Sequence, residues 1–302
     1  MTIAGAELEA LKARVRGLPL WSGLVDPQPL EGGITNVNFR VTEPSGDGYV
    51  VRLGDDIPVH HVMRFNEAAA SRAAAEAGVS PEVVYAERGV LVVRFVEGRT
   101  LGEADLRSPA MIDRFLPLLK KVHRDVAAAF RGPALTFWPF HVLRDYGRSL
   151  EEGGSRHHGD LPALLAVAAE LEAAVGDITL VFGHNDLLPG NILDDGKRLW
   201  LIDWDYAGFG SPLFDLANLA TNCGLDETLE RHLLRGYFGR EADEALYRRF
   251  SAMKCASLLR ETMWSMVSEI HSTLDFDYAA YTAENRARFD AAHDAFLNLQ
   301  GS

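Results

Sequence analysis

From residue 184 the chain reads His184-Asn185-Asp186-Leu187-Leu188-Pro189-Gly190-Asn191, and twelve residues further on Asp203-Trp204-Asp205. The pattern is H-x-D-x-x-x-x-N followed by D-x-D, and it restricts the fold severely. One loop must present Asp186 and Asn191 together, and a hairpin must carry Asp203 back beside them. Residues Asn191 to Leu193 and Leu199 to Asp203, around the turn Asp194-Asp195-Gly196-Lys197, fit that hairpin. Asp186 is placed to accept a proton from a hydroxyl. Asn191 and Asp203 offer hard oxygen atoms, which suit magnesium better than zinc or copper. A base and two magnesium ligands in this order are what phosphoryl transfer from a nucleotide asks for. Asp205 reads as a second ligand or an acceptor contact, and His184 as a brace for the loop.

Upstream, Ile34 to Val41 and Tyr49 to Leu53 read as strands around the turn Pro44-Ser45-Gly46-Asp47-Gly48. A helix over Arg64 to Ala77 follows, then strands at Val83 to Ala86 and Val90 to Val96. After Gly98 the period changes. Met111, Ile112, Phe115, Leu118, Leu119, Val122 and Val126 recur at helical spacing, as do Leu161, Leu164, Leu165, Ala168 and Leu171. Ile178 to Phe182 is a short strand entering the loop, and the chain beyond Leu213 reads helical. Asp145 to Asp160, rich in Gly, Arg and His, reads as a mobile loop. With residues 206–212 it forms a pair of segments able to close over an acceptor. The expectation is an α+β chain in two lobes: a strand-rich nucleotide-binding lobe over residues 1–97 and a mostly helical catalytic lobe over 98–302. A short hinge lies near 97–100.

Glu31-Gly32-Gly33-Ile34-Thr35-Asn36 opens the first hairpin, and its two glycines let the backbone approach a phosphate closely. It is not a Walker A loop, since the Gly196-Lys197 pair lacks the upstream Gly and the following Ser or Thr. Arg52, on the strand Tyr49 to Leu53, is the candidate cation, with Glu67 on the next helix as its partner. A guanidinium fork can bridge phosphate and carboxylate. The net charge of −13 argues against a general nucleic-acid binder. There is no apolar run of about 18 residues, so no membrane span is expected. Met1 to Arg16 reads as an amphipathic helix rather than a signal peptide. Cys223 and Cys255, both in apolar helical context, read as reduced buried thiols. The His60-His61 and His157-His158 pairs read as loop residues rather than metal ligands. A cytoplasmic monomer or homodimer is expected.

With these residues in view, the chain resembles the choline/ethanolamine kinase branch of the aminoglycoside-phosphotransferase-like kinases. Four groups of residues carry the likeness. They are Gly32-Gly33-Ile34-Thr35-Asn36 with Val50-Val51-Arg52-Leu53; Asn66-Glu67; the His184 to Asn191 loop with Asp203-Trp204-Asp205-Tyr206; and Trp264 with Phe276-Asp277-Tyr278 and Tyr281. The resemblance implies a bilobal protein-kinase-like fold, with ATP under the first hairpin and against the hinge at Phe95 and Val96. It implies Asp186 as base, Asn191 and Asp203 as magnesium ligands, and Gly32, Gly33, Asn36, Arg52 and Glu67 at the phosphates. It implies an ammonium-bearing alcohol, choline or ethanolamine-like, among Asp205, Tyr206, Trp264, Phe276 and Tyr281, in keeping with cation–π attraction.

Such kinases often carry a second Trp one helical turn before Trp264; Glu261 stands there instead. Asn222 stands where an acidic residue is often found. The exchange moves the pocket's expected negative charge to Glu261 and favours a primary ammonium or a different cationic alcohol over choline. Other readings are a kinase for thiamine, an aminoglycoside or another hydroxylated metabolite, and a non-catalytic nucleotide-binding module. Protein-kinase activity is disfavoured, because G-x-G-x-x-G is missing and no Ala-Pro-Glu follows Asp203.

Overall fold

A computed structural model describes residues 5–30 and 36–299. The first part comprises α1 (Gly5–Arg16), β1 (Gln28–Leu30), β2 (Val37–Thr42), β3 (Gly48–Leu53), α2 (Arg64–Glu76), β4 (Val83–Glu87) and β5 (Val90–Arg94). The strands form one antiparallel sheet in the order β1-β2-β3-β5-β4. Strand alternation gives the sheet two faces. Phe39, Val41, Tyr49, Val51, Leu53, Val90 and Val92 bury one face under Val15, Leu18 and Val25. The alternate positions Val50, Arg52, Leu91 and Val93 therefore face a cleft on the other side. A one-residue slip of β3 would turn Arg52 into the apolar core, so the register that builds the core also aims the cation.

The alanine run of α2 has a packing role. Ala70, Ala73 and Ala74 are buried in the larger core of the molecule with Val62 and Val79. Side chains this small let α2 lie close to its neighbours, while Glu67 on the same helix reaches back to the sheet. The segment after β5 is stitched into a second sheet. β6 (Arg99–Thr100) pairs with a strand of the hairpin that precedes Asp203. Gly98 makes this possible: a Cβ there would lie 2.7 Å from the Asp194 carbonyl oxygen.

The remainder is α3 (Glu103–Leu106), α4 (Pro109–Lys121), a π turn (Val122–Val126), α5 (Ala127–Ala129), α6 (Pro139–Glu152), α7 (Leu161–Val175), β7 (Val181–Gly183), β8 (Ile192–Asp194), β9 (Leu199–Leu201), β10 (Gly208–Gly210), α8 (Pro212–Cys223), α9 (Glu227–Phe238), α10 (Glu244–His271) and α11 (Tyr278–Asn298). The 28-residue α10 is buried along most of its length and packs against α6, α7, α8 and α11. Its N-terminus is capped by Asp243, whose carboxylate accepts from the Leu246 amide at 2.8 Å. The α+β, two-lobed expectation is met.

Several local expectations are corrected. Asp145 to Glu152 is not loop but the second half of α6, with Tyr146 and Leu150 fully buried. Its glycine fooled the composition argument: Gly147 lies under Leu165, whose Cδ1 would stand 3.0 Å from a Cβ there. Residues 206–212 are not free to close, because β10 pairs with β7. The helix expected to run through Val126 is interrupted by the π turn. The strand expected from Ile178 starts at Val181, and the described part of β2 begins at Val37. Cys223 and Cys255 are free and buried, as expected. Among the described residues no helix is long and apolar enough to cross a membrane, and no cluster of His, Cys, Asp and Glu forms a metal site.

Candidate active site

The loop between β7 and β8 is held by a carboxylate that sequence reasoning missed. Asp215, in the first turn of α8, is fully buried. It accepts from the His184 amide at 2.9 Å, the Asn185 amide at 2.7 Å and His123 Nε2 at 2.8 Å. The π turn carries His123, and Tyr237 sits 2.6 Å from its other ring nitrogen. Burial pushes the Asp215 carboxyl up, but the hydrogen bonds from His123 and from the His184 backbone amide outweigh it, so it lies below the usual carboxylate range. An acid inside the apolar stretch Pro212-Leu213-Phe214-Asp215-Leu216 was the available signal, since a buried charge must have partners.

The rest of the loop is equally fixed. Asn185 adopts φ 64°, and its side-chain Nδ2 donates to the Tyr206 carbonyl at 3.0 Å. His184 is buried, sits 2.9 Å from the Ile202 carbonyl through Nε2, and receives the Asp186 amide at Nδ1. Burial holds its ring below the usual histidine range, hence neutral. His184 is the brace expected of it. The Leu187 amide donates to Asn218 Oδ1 at 2.6 Å. Asn191 Nδ2 donates to the Asp186 carbonyl at 2.9 Å, which leaves Oδ1 as the atom to meet a cation. Asp203 adopts φ 68°, a left-handed conformation that Asp tolerates better than most residues and that recurs at functional sites.

Around Asp203 lies a compact charge cluster. Arg52 Nε is 2.9 Å from Glu67, and its Nη2 is 2.8 Å from Asp203 and 2.9 Å from Asp205. Arg64, also missed in the sequence, places Nη1 2.7 Å from both Glu67 and Asp205. Its Arg64-x-x-Glu67 spacing puts the two side chains on one helix face. Asn36 Nδ2 donates to Asp205 at 3.2 Å, and Gly54 clears the way, since a Cβ there would meet Asn36 Oδ1 at 2.2 Å. Asp205 also acts as a clamp: it is buried, lines the cleft, and ties α2 and β3 to the segment that follows β9. Gly32 and Gly33 lie outside the described residues.

Among the described residues, two guanidiniums against three carboxylates leave this cluster with one negative charge in excess. Burial is the largest influence on Glu67 and pushes its carboxyl up, with Asp205 adding to it against the pull of Arg52 and Arg64. Surplus negative charge beside an exposed edge of Asp203 and Asn191 Oδ1 fits a magnesium ion, which keeps most of its ligands as water and phosphate oxygens. Asp186 itself is pushed up to about 8, chiefly by burial, with Arg260 pulling it down and Asp203, Glu261 and Asp205 adding to the rise.

These groups share one cleft of about 730 Å³. Val50, Leu91, Val93, Phe95, Val96 and Ile202 form an apolar part of its lining, and Asp186, Tyr206, Asn222, Glu261, Trp264 and Tyr281 line it as well. Arg52, Glu67, Asn191 and Asp203 line the same space, and Arg52 joins the strand of Val50 to Asp203. Trp264 Nε1 donates to the Tyr206 hydroxyl at 3.0 Å. Phe276 does not line the cleft; it is 43% exposed and packs edge-on against Tyr281 and Tyr278.

A family model described as the phosphotransferase enzyme family matches residues 26–250, well over half of the chain, and the protein belongs to that family. Among its relatives, protein LicA of Haemophilus influenzae is 29% identical over 259 residues, covering 82% of this chain and 75% of its own. The crystal structure of a choline/ethanolamine kinase family protein from Mesorhizobium loti is 28% identical, with a TM-score of 0.76 and 94% of each chain covered. Choline kinase LicA from Streptococcus pneumoniae, at 20% identity, shares the fold with a TM-score of 0.72 over 94% of this chain and 99% of its own. The chain is a phosphotransferase of the choline/ethanolamine kinase type, a small-molecule kinase on a protein-kinase-like fold.

Proposed function

We propose that the protein transfers the γ-phosphoryl group of ATP, with magnesium, to the hydroxyl of a small amino alcohol of the choline or ethanolamine kind. The observation that carries this reading is the single cleft lined together by Arg52, Asn191 and Asp203, by the apolar Val50, Leu91, Val93, Phe95 and Val96, and by Asp186 and Glu261. The adenine end of the nucleotide belongs in the slot of Val50, Leu91, Val93, Phe95 and Val96, and its phosphates beside Arg52. Residues 1–97 then serve nucleotide binding, with Gly32, Gly33 and Asn36 toward the phosphates, and residues 98–302 serve catalysis and acceptor binding. Asn191 Oδ1 and Asp203 would hold magnesium. When bound, the metal neutralises charge on the phosphates as the terminal bond parts. Asp186 orients the acceptor hydroxyl and takes its proton as the new P–O bond forms. Arg52, held by Glu67, steadies the phosphates.

The test is ADP release by purified protein with ATP and magnesium, against choline, ethanolamine, thiamine and aminoglycosides. Turnover dependent on one amino alcohol supports the proposal. ATP binding without turnover on any amino alcohol sinks it.

A further inference from the structure

The cleft holds a residue that neither the catalytic pattern nor the charge cluster uses. Arg260, on α10, is buried. Its guanidinium carbon lies 4.4 Å from the centre of the Tyr206 ring and 6.0 Å from that of Phe137. Its Nη1 donates to Glu261 Oε2 at 2.7 Å. Its Nε and Nη2 have no hydrogen-bond partner among the described residues, so the Tyr206 face is what the remainder of the guanidinium rests on. The other groups suited to an acceptor cation are occupied too. Glu261 Oε1 accepts from the Tyr281 hydroxyl at 2.8 Å. The Trp264 ring lies 5.0 Å from that of His60, tilted by 31°, with Tyr278 and Tyr281 on its other sides.

A quaternary ammonium is held by aromatic faces, because it has no N–H to donate. Here the Tyr206 face is covered by a cation of the same chain, and like charges on one face repel. A primary ammonium does not need that face. It can donate to carboxylate lone pairs, and Glu261 remains a quarter exposed to the cleft with capacity beyond its two present bonds.

Resting on the proposed kinase reading, we infer that Arg260 is a specificity-determining residue that covers the Tyr206 face and orients Glu261, so that this site takes alcohols bearing an N–H ammonium and rejects their trimethylammonium counterparts. Arg260 sets which amine enters; it transfers no proton and touches no phosphate.

The experiment is a methylation series of acceptors (ethanolamine, its N-methyl and N,N-dimethyl derivatives, and choline) with wild type, Arg260→Leu and Arg260→Met. In the wild type, kcat/KM is expected to fall with each methyl group, by at least tenfold over the series. In the variants, which uncover the Tyr206 face, choline should gain at least tenfold relative to ethanolamine, with the KM for ATP unchanged. Choline equal to or better than ethanolamine in the wild type overturns the inference without any variant and leaves the kinase reading standing. An unchanged series in either folded variant overturns it as well. A wild type that turns over no member of the series overturns the kinase reading, and the inference with it.

Discussion

The loop residues were the most legible at the scale of single side chains, because phosphoryl transfer asks for particular atoms at particular spacings. Asp186 is expected to carry the proton, and Asp186→Asn should lower kcat by about 10²–10⁴ while nucleotide still binds, as read by turnover and by titration calorimetry. Normal turnover would remove it as base. The burial of Asp215 was signalled by its apolar neighbours, but its partners were not legible, since an aspartate in a helix says nothing of the two backbone amides and the imidazole it will meet. Asp215→Asn keeps the size but turns one acceptor into a donor facing an N–H. It should cost about 3–5 kcal/mol in urea unfolding at neutral pH and lower kcat through a displaced loop. The sign with pH follows from its depressed carboxyl. The stability it contributes is present above the unfolded-state value of about 3.9 and lost as pH falls through the lower folded one. The gap between wild type and variant should therefore narrow as the pH is lowered below about 4. Arg260 and Arg64 escaped for a different reason: an arginine in a helical pattern reads as surface until its burial is known.

Period and turn chemistry located β3, β5, α2 and the β8–β9 hairpin to within a few residues at the scale of elements, because each buries one face and exposes the other. The short strands β6 and β10 were invisible. They exist through pairing partners distant in sequence, Arg99 with Asp194 and Phe209 with Phe182, which no local pattern encodes. Gly98 is where that distant pairing leaves its mark. Gly98→Val should push the segment away from the Asp194 carbonyl, lower the thermal midpoint, and raise the KM for ATP because Phe95 and Val96 line the same slot. A variant with wild-type KM and midpoint would mean the segment relaxes without consequence. On α10, Trp264→Ala should raise the acceptor KM more than the ATP KM if the cleft beside Tyr206 is the proposed acceptor pocket, since the ring lines that cleft and bonds Tyr206. Equal effects on both would reduce Trp264 to a packing residue.

For the whole molecule, the sheet and the helical core are joined at more than the segment near Gly98. The turn Pro58–His60 lays His60 into the helical part, where Nδ1 sits 3.2 Å from the Tyr146 hydroxyl and Nε2 3.0 Å from Ser268. His61, at φ 61°, places Nε2 2.7 Å from Asp145. A histidine pair that reads as loop in the sequence is therefore a fastening between the sheet side and helices α6 and α10. Burial pushes His60 down to about 3, and the positive charge of Arg260 pushes the same way. Folded His60 is neutral, while in the unfolded chain it takes up a proton near pH 6.5. Between those values the unfolded state binds one proton more, so the contribution of His60 is intact above about pH 6.5 and is lost as pH falls toward about 3. The slope is about 1.4 kcal/mol per pH unit. His60→Gln should be less stable than wild type at pH 7.5, by about 1–2 kcal/mol for lost packing on Trp264 and Tyr146. It should lack that slope, so the two stability curves approach and cross between about pH 6 and about pH 5. Urea midpoints from pH 7.5 to 4.5 decide the matter: curves that stay parallel would show that His60 takes a proton in the folded protein and fastens nothing in a pH-dependent way.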